Sequence, residues 1–298
     1  MVDYAEKTPW VSEETPEQEA TALRLLDVAW SRLDDVERYL KSASMRIDPG
    51  SSLALDGRHL GPYRGGGLYR SALNSSFDAL QTVRLLLDRD DRVFPMSGLY
   101  PLLRSGLENA ALAAYLLAPD SRDERVLRAW NEISGEVKLQ HKFSAHFDQG
   151  QADRTRDRWG EEIERMLRSR PQIEQTAIRL RQASVTDVVA AADLIVRSDP
   201  ASVRLQHAMP LLAIWQLLSG LAHGRHWAAF AALARSNPAP TVDETIVTVQ
   251  MTTRAGVVSM ALLRAVMTLE TATHLHARRA RYWLRQPEDA EENEAHSR

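Results

Sequence analysis

The sequence contains no cysteine. That excludes disulfides, thiolate nucleophiles and cysteine-ligated zinc or iron–sulfur centres, and nothing in the chain asks for an oxidising compartment. Lysine is almost as scarce. Lys7, Lys41, Lys138 and Lys142 are the only four, so nearly all the positive charge is arginine, in an alanine- and aspartate-rich background. Such usage is what a GC-rich coding sequence gives, and it points to a high-GC bacterium or one of its phages. A large charge of one sign is also missing. The formal net charge is -3 and the pI is near 6.3, so no global field drives the chain toward nucleic acid or anionic membrane, although a local basic patch is compatible with it. Residues 1–19 are acidic and polar and lack the apolar stretch of a secretory signal. The longest apolar runs, 99–117 and 209–233, are broken by charged or imidazole side chains, the second also by Gly220 and Gly224. They read as core helices and not as membrane spans. A cytoplasmic location with no membrane partner is the resulting expectation.

What is present is ordinary for a globular protein: 298 residues, 44% hydrophobic and 26% charged. No internal repeat and no Pro/Gly/Ser linker divides the chain, so one helical domain is expected over residues 16–286, between acidic tails at 1–15 and 287–298. Apolar residues at Ala22, Leu25, Leu26, Ala29, Leu33, Val36 and Leu40 recur at threes and fours, and Thr15-Pro16 supplies a cap and a first-turn proline. That predicts a helix over 16–43. Residues 47–67 break the period with DPGSS and GRHLGPYRGGG and read as a long loop. Further helices are expected over 68–87, 95–117, 120–147, 153–182, 185–196, 201–233 (kinked near Pro210) and 254–285. Asn237 to Pro240 reads as a loop, and the Thr- and Val-rich stretch 241–252 as a short β segment. The fold class is therefore all-α, an irregular bundle of about seven or eight helices.

Two polar stripes interrupt the apolar helices. On 99–117 the exceptions are Arg104, Ser105, Glu108 and Asn109, two i,i+4 pairs on adjoining faces, with Tyr100 and Tyr115 extending the first row. An arginine and a glutamate on a central helix must be paired, hydrated in a cleft, or both, because burying them alone costs several kcal/mol. On 209–233, Gln216, Ser219, His223 and His226 fall within an arc of about 80° at about 100° per residue. Catalytic roles are expected for Arg104 (anion binding), Glu108 (orientation), Ser219 and His223 (acid/base), with Tyr100, Asn109, Gln216, His226 and Arg128 as substrate-binding candidates. The competing interpretation is that both stripes are buried hydrogen-bond networks that fix helix register in a non-catalytic binding module, which admits a homodimer. His223 and His226 could join Glu108 around a metal. The chain lacks both the Glu-x-x-His pairs and the His-Glu-x-x-His motif that would argue for one, so neither metal nor cofactor is expected. Weaker signals are the glycine- and arginine-rich stretch 57–70, which could cradle phosphate, and the basic end of the last helix, whose cations suit a helix C-terminus.

The segment YPLLRSGLE over 100–108, continuing to Tyr115, Arg125 and Arg128, and the later WQLLSGLAHG over 215–224 together resemble an uncharacterised bacterial helical family. In that family an Arg-x-x-x-Glu helix is followed much later by a Ser-x-x-x-His helix. More remotely the arrangement is similar to HEPN domains, many of which are ribonucleases. The resemblance implies binding or processing of RNA or a nucleotide. The HEPN signature, an arginine followed after four to six residues by a histidine on one helix, occurs nowhere in this chain. The arginine partner of His223 would have to come from another helix.

Overall fold

The structure, a computed structural model, describes residues 13–60, 65–88, 94–95, 97–169, 182–198, 209–240 and 247–281. Ten α-helices and one two-stranded sheet are formed among them, so the chain is all-α in class with more helices than the sequence predicts. Two causes account for the extra count. The presumed loop 47–67 contains a short helix, and the presumed helix 201–233 is cut in two.

Proximity along the backbone divides the chain into two compact units. The first comprises residues 1–40, 71–115 and 184–273, the second 41–70, 116–183 and 274–298. Helices α3 (Gly65–Leu87), α4 (Leu99–Leu117) and α10 (Ala255–Ala280) contribute residues to both.

The first unit begins with α1, Pro16–Lys41. Its start is a reciprocal cap: the Gln18 N–H donates to Thr15 Oγ1 at 3.2 Å and the Thr15 N–H to Gln18 Oε1 at 3.0 Å, with Glu17 and Glu19 against the positive helix end. Ala22, Leu26, Ala29, Leu33 and Val36 make its buried face. Between α3 and α4 the backbones come close at Gly106. A Cβ built there would lie 2.6 Å from Leu80 Cδ2, and the Gly106 carbonyl accepts from Ser76 Oγ at 2.7 Å. Gly106→Ala is accordingly expected to cost about 1–3 kcal/mol by overpacking. Urea denaturation checks this, and a loss below about 0.5 kcal/mol would mean that Leu80 yields freely.

Helix α7 (Val185–Ser198) meets α8 (Leu211–Ala222), which is followed by α9 (His226–Ala232). Strands β1 (Leu233–Pro240) and β2 (Val247–Thr253) form an antiparallel ribbon from Leu233↔Thr253 to Pro240↔Val247, with a register shift between Ser236 and Ala239. Of the β segment expected over 241–252, residues 247–252 lie in β2, and 241–246 lie outside the described residues. The partner of β2 is the stretch read from its prolines as loop and, before that, helix. The prolines are accommodated because a two-stranded ribbon has free edges and the shift relieves the ladder. Helix α10 is long and apolar enough to cross a membrane by length and composition, but 72% of its apolar window is buried inside the fold. Its buried hydroxyls are satisfied on their own helix: Thr268 Oγ1 donates to the Arg264 carbonyl at 2.8 Å and Thr271 Oγ1 to that of Met267 at 3.0 Å.

The second unit holds a short 3-10 turn (Ala43–Met45), α2 (Ser52–Gly57), α5 (Arg122–Ala145), α6 (Gln149–Ser169) and the end of α10. Its core gathers Leu60, Val126, Trp130, Ile133 and Trp159. The two indoles lie 5.0 Å apart, and Trp130 Nε1 donates to the His59 carbonyl at 3.1 Å. Two arginines meet the carbonyls at the end of α4 and in the link that follows it. Arg279 donates to the carbonyls of Leu117 (2.9 Å) and Ala118 (3.0 Å), and Arg125 to those of Pro119 (2.9 Å) and Asp120 (2.8 Å). Carbonyls that a helix leaves without partners at its end are thereby met by cations, the sign its dipole favours there.

Candidate functional site

Helix α4 is buried on nearly every side. Leu99, Leu103, Leu107, Ala110 and Ala114 show no exposure, and the half-buried strip carries Arg104, Ser105, Glu108 and Asn109. The i,i+4 spacing sets the first pair in register, and Arg104 Nε donates to Glu108 Oε1 at 2.7 Å. Both side chains are about a quarter exposed, at 25% and 26%, so neither is dry.

Helix α8 presents the other half, and its end explains the position of His223. Gly224 has φ +62 and closes a Schellman motif. The Arg225 N–H donates to the Gly220 carbonyl at 2.8 Å and the Gly224 N–H to that of Leu221 at 3.1 Å. His223 is the residue at which the helix ends, and it is exposed. Its Nε2 lies 3.0 Å from Arg104 Nη1. A guanidinium can only donate, so in this contact Nε2 is the acceptor.

The same helix adds a residue that the spacing argument overlooked. Trp215 Nε1 donates to Glu108 Oε1 at 2.6 Å, and its ring lies under the arginine, 5.8 Å from Arg104 Cζ to the centroid. Only its place two turns before His223 could have flagged it. Glu108 Oε1 thus receives two charge-assisted or indole donors, while Arg104 Nη2 and Glu108 Oε2 have no partner among the described residues.

The remaining candidates are placed as follows. Ser219, half-buried and one turn before His223, accepts the His223 N–H at its carbonyl (3.1 Å), and its hydroxyl makes no hydrogen bond among the described residues. Gln216 is exposed on α8. His226 is separated from that face by the helix break at Gly224 and stands edge-on to Phe230 in α9, at 6.5 Å between centroids. The shared arc of Gln216, Ser219, His223 and His226 assumed one continuous helix, and that assumption is corrected here. Asn109 turns back on its own helix, donating to the Ser105 carbonyl at 2.9 Å. Tyr100 is fully buried, and burial raises its phenol above the usual range while Thr253 pulls the other way. Arg128 belongs to the second unit and pairs with Glu124. Among the described residues no three His, Asp or Glu side chains gather as metal ligands would.

Gly220 brings a further aromatic toward this end of α8. A Cβ there would lie 2.6 Å from Ala228 Cβ and 2.8 Å from Trp227 Cζ2, so only glycine admits α9 at this distance. Trp227 and Phe230 remain exposed, and Arg235 stacks 4.8 Å from the Phe230 ring centroid. Comparison with known family models, curated proteins and solved structures gives no match to this chain.

Proposed function

We propose that the chain binds RNA or a nucleotide by its phosphate at the Arg104–Glu108–His223 cluster, with His223 set to transfer a proton. The observation that carries this reading is the way one guanidinium is shared. Glu108 fixes it through Nε, His223 accepts from Nη1, and Nη2, at a partly open surface, has no partner among the described residues. A fork held in that manner suits phosphate oxygens. The exposed Trp227 offers a ring on which a base can stack. In this reading the arginine and histidine that HEPN proteins carry on one helix are supplied by two, α4 and α8.

A phosphate drawing Arg104 toward itself would free His223 Nε2. The imidazole could then take the proton of a ribose 2′-hydroxyl as that oxygen attacks the adjacent phosphorus. The 5′-oxygen leaves with a proton from water, giving a cyclic phosphate and a 5′-hydroxyl. The second reading is supported by Trp215. Its bond to Glu108 ties α8 to α4, as a register-fixing network in a binding module would.

Fluorescence anisotropy with single-stranded RNA and a cleavage gel separate the two. Arg104→Ala is expected to weaken RNA binding about tenfold or more. His223→Ala is expected to keep most of the binding and lower cleavage by roughly 10²–10⁴. If the wild type binds neither RNA nor nucleotide, while Arg104→Ala only lowers the melting temperature, the cluster is a register network and the first reading is wrong.

A further inference from the structure

A cleft of about 460 Å³ opens in the second unit, beside the arginine cap of α4. That is the size of a small-ligand site, for which about 300–1,000 Å³ is usual. Among its described lining residues, Arg122, Arg278, Arg279 and Arg281 stand with one carboxylate, Asp120, and with Ser52. Arg279 is the buried floor, and its donors go to the Leu117 and Ala118 carbonyls and to Asp120 Oδ1 at 2.7 Å. The other three arginines reach the surface at least in part.

Two details suit an anion in this cleft. Arg122 Nε is buried and has no hydrogen-bond partner. Its nearest carboxylate oxygen, Asp56 Oδ1, lies at 3.5 Å and is already taken by Arg125. Asp120, which has a highly exposed side chain, is nevertheless drawn to the cations, with Arg278 Nη2 at 3.6 Å as well as Arg279. Its hydrogen bond from Arg279 holds its carboxyl below the ordinary range. A carboxylate of the chain itself thus occupies the place that an external oxyanion would take. Ser52, also in the lining, accepts at Oγ from Arg125 Nη2 at 2.6 Å, which leaves its own proton to donate.

We infer that this cleft is a phosphate site, built to hold the terminal phosphates of a small phosphorylated ligand among Arg122, Arg278 and Arg281 over the Arg279 floor. The ligand chemistry is that of two or more closely spaced negative charges, supplied either by a free nucleotide or by the 5′-phosphate end of an oligonucleotide. Asp120 competes with it for the same cations. The assignment stands apart from the Arg104 cluster and does not depend on it.

Calorimetric titration tests it in an Arg104→Ala background, so that the first site does not contribute. The probes are inorganic pyrophosphate, ATP, adenosine, and a short oligoribonucleotide with and without a 5′-phosphate. Pyrophosphate is expected to bind and adenosine not to. Arg122→Gln and Arg278→Gln should each weaken pyrophosphate about fivefold or more, and Asp120→Asn should strengthen it by about threefold. ATP binding with indifference to the oligonucleotide end would identify a free nucleotide as the source, and the converse the 5′-end. Pyrophosphate bound no better than an equal concentration of sulfate overturns the inference. So does an affinity unchanged in Arg122→Gln/Arg278→Gln/Arg281→Gln. If that triple variant fails to fold, Asp120→Asn decides, because a purely structural role for Asp120 predicts no gain.

Discussion

Asp56→Ala is expected to cost about 3–5 kcal/mol of stability, the loss that follows when one partner of a buried ion pair is removed. Asp56 is wholly buried and the Arg125 side chain is 1% exposed. The arginine uses all five of its N–H donors. Nε and Nη2 reach the two Asp56 oxygens at 2.7 and 3.0 Å, Nη2 also reaches Ser52 Oγ, and Nη1 serves the Pro119 and Asp120 carbonyls. Without the carboxylate, two of those donors face a dry interior beside a second cation, Arg122. Asp56→Asn, which keeps one acceptor, should lose less. Arg125→Lys should lose more than a conservative change would suggest, because an ammonium cannot span the fork. Urea unfolding of the three variants checks the order. A loss of under about 1 kcal/mol for Asp56→Ala would show that water reaches the pair.

Asp56 also marks where sequence reading stops. It lies in a stretch whose Pro and Gly content reads as loop, yet Ser51 caps a short helix there, its hydroxyl accepting the Ala54 N–H at 3.2 Å. The cap and the apolar Leu53 and Leu55 were visible. The buried pairing was not, because Arg125 is 69 residues away and helix spacing says nothing of contacts between elements. The Arg104 cluster was far more legible. A charged i,i+4 pair on an otherwise apolar helix had to be paired, hydrated or both, while spacing alone left open whether the second polar stripe would meet it. What spacing could not anticipate was the helix break. The Gly224 left-handed turn makes His223 a terminal residue and sends His226 elsewhere. The partner of β2 was equally hidden, since the pairing of 233–240 with 247–253 is tertiary and overrides the loop signal of its prolines.

Acid should weaken the fold through one histidine well before the carboxylates titrate. His276 is 1% exposed on α10, and its pKa falls from the ordinary 6.5 to about 4, chiefly because burial penalises the cation and secondarily because Arg70 repels it. Between those two values the unfolded chain takes up a proton that the folded chain refuses. Stability is therefore intact above pH 6.5 and falls as the pH drops toward 4, by about 3 kcal/mol at 1.36 kcal/mol per unit. Two other groups act in the same direction at lower pH. The carboxyls of Asp120 and Asp153 are held below their usual value by hydrogen bonds from Arg279 and from Gln149 and His141, so their contribution is lost only below about pH 4. Glu132 opposes the trend. Burial raises its pKa, so protonating it as the pH falls relieves a penalty. The slope between pH 6.5 and 5 lies above the range of the lowered Asp120 and Asp153 carboxyls, so among these groups only Glu132 should oppose the loss through His276 there. Chemical unfolding at pH 7.0 and 5.0 in the wild type and in His276→Gln isolates it. The variant should lose much of the acid dependence in that interval, whatever its stability at pH 7. An equally steep slope in the variant would mean that the buried imidazole is not what acid attacks first.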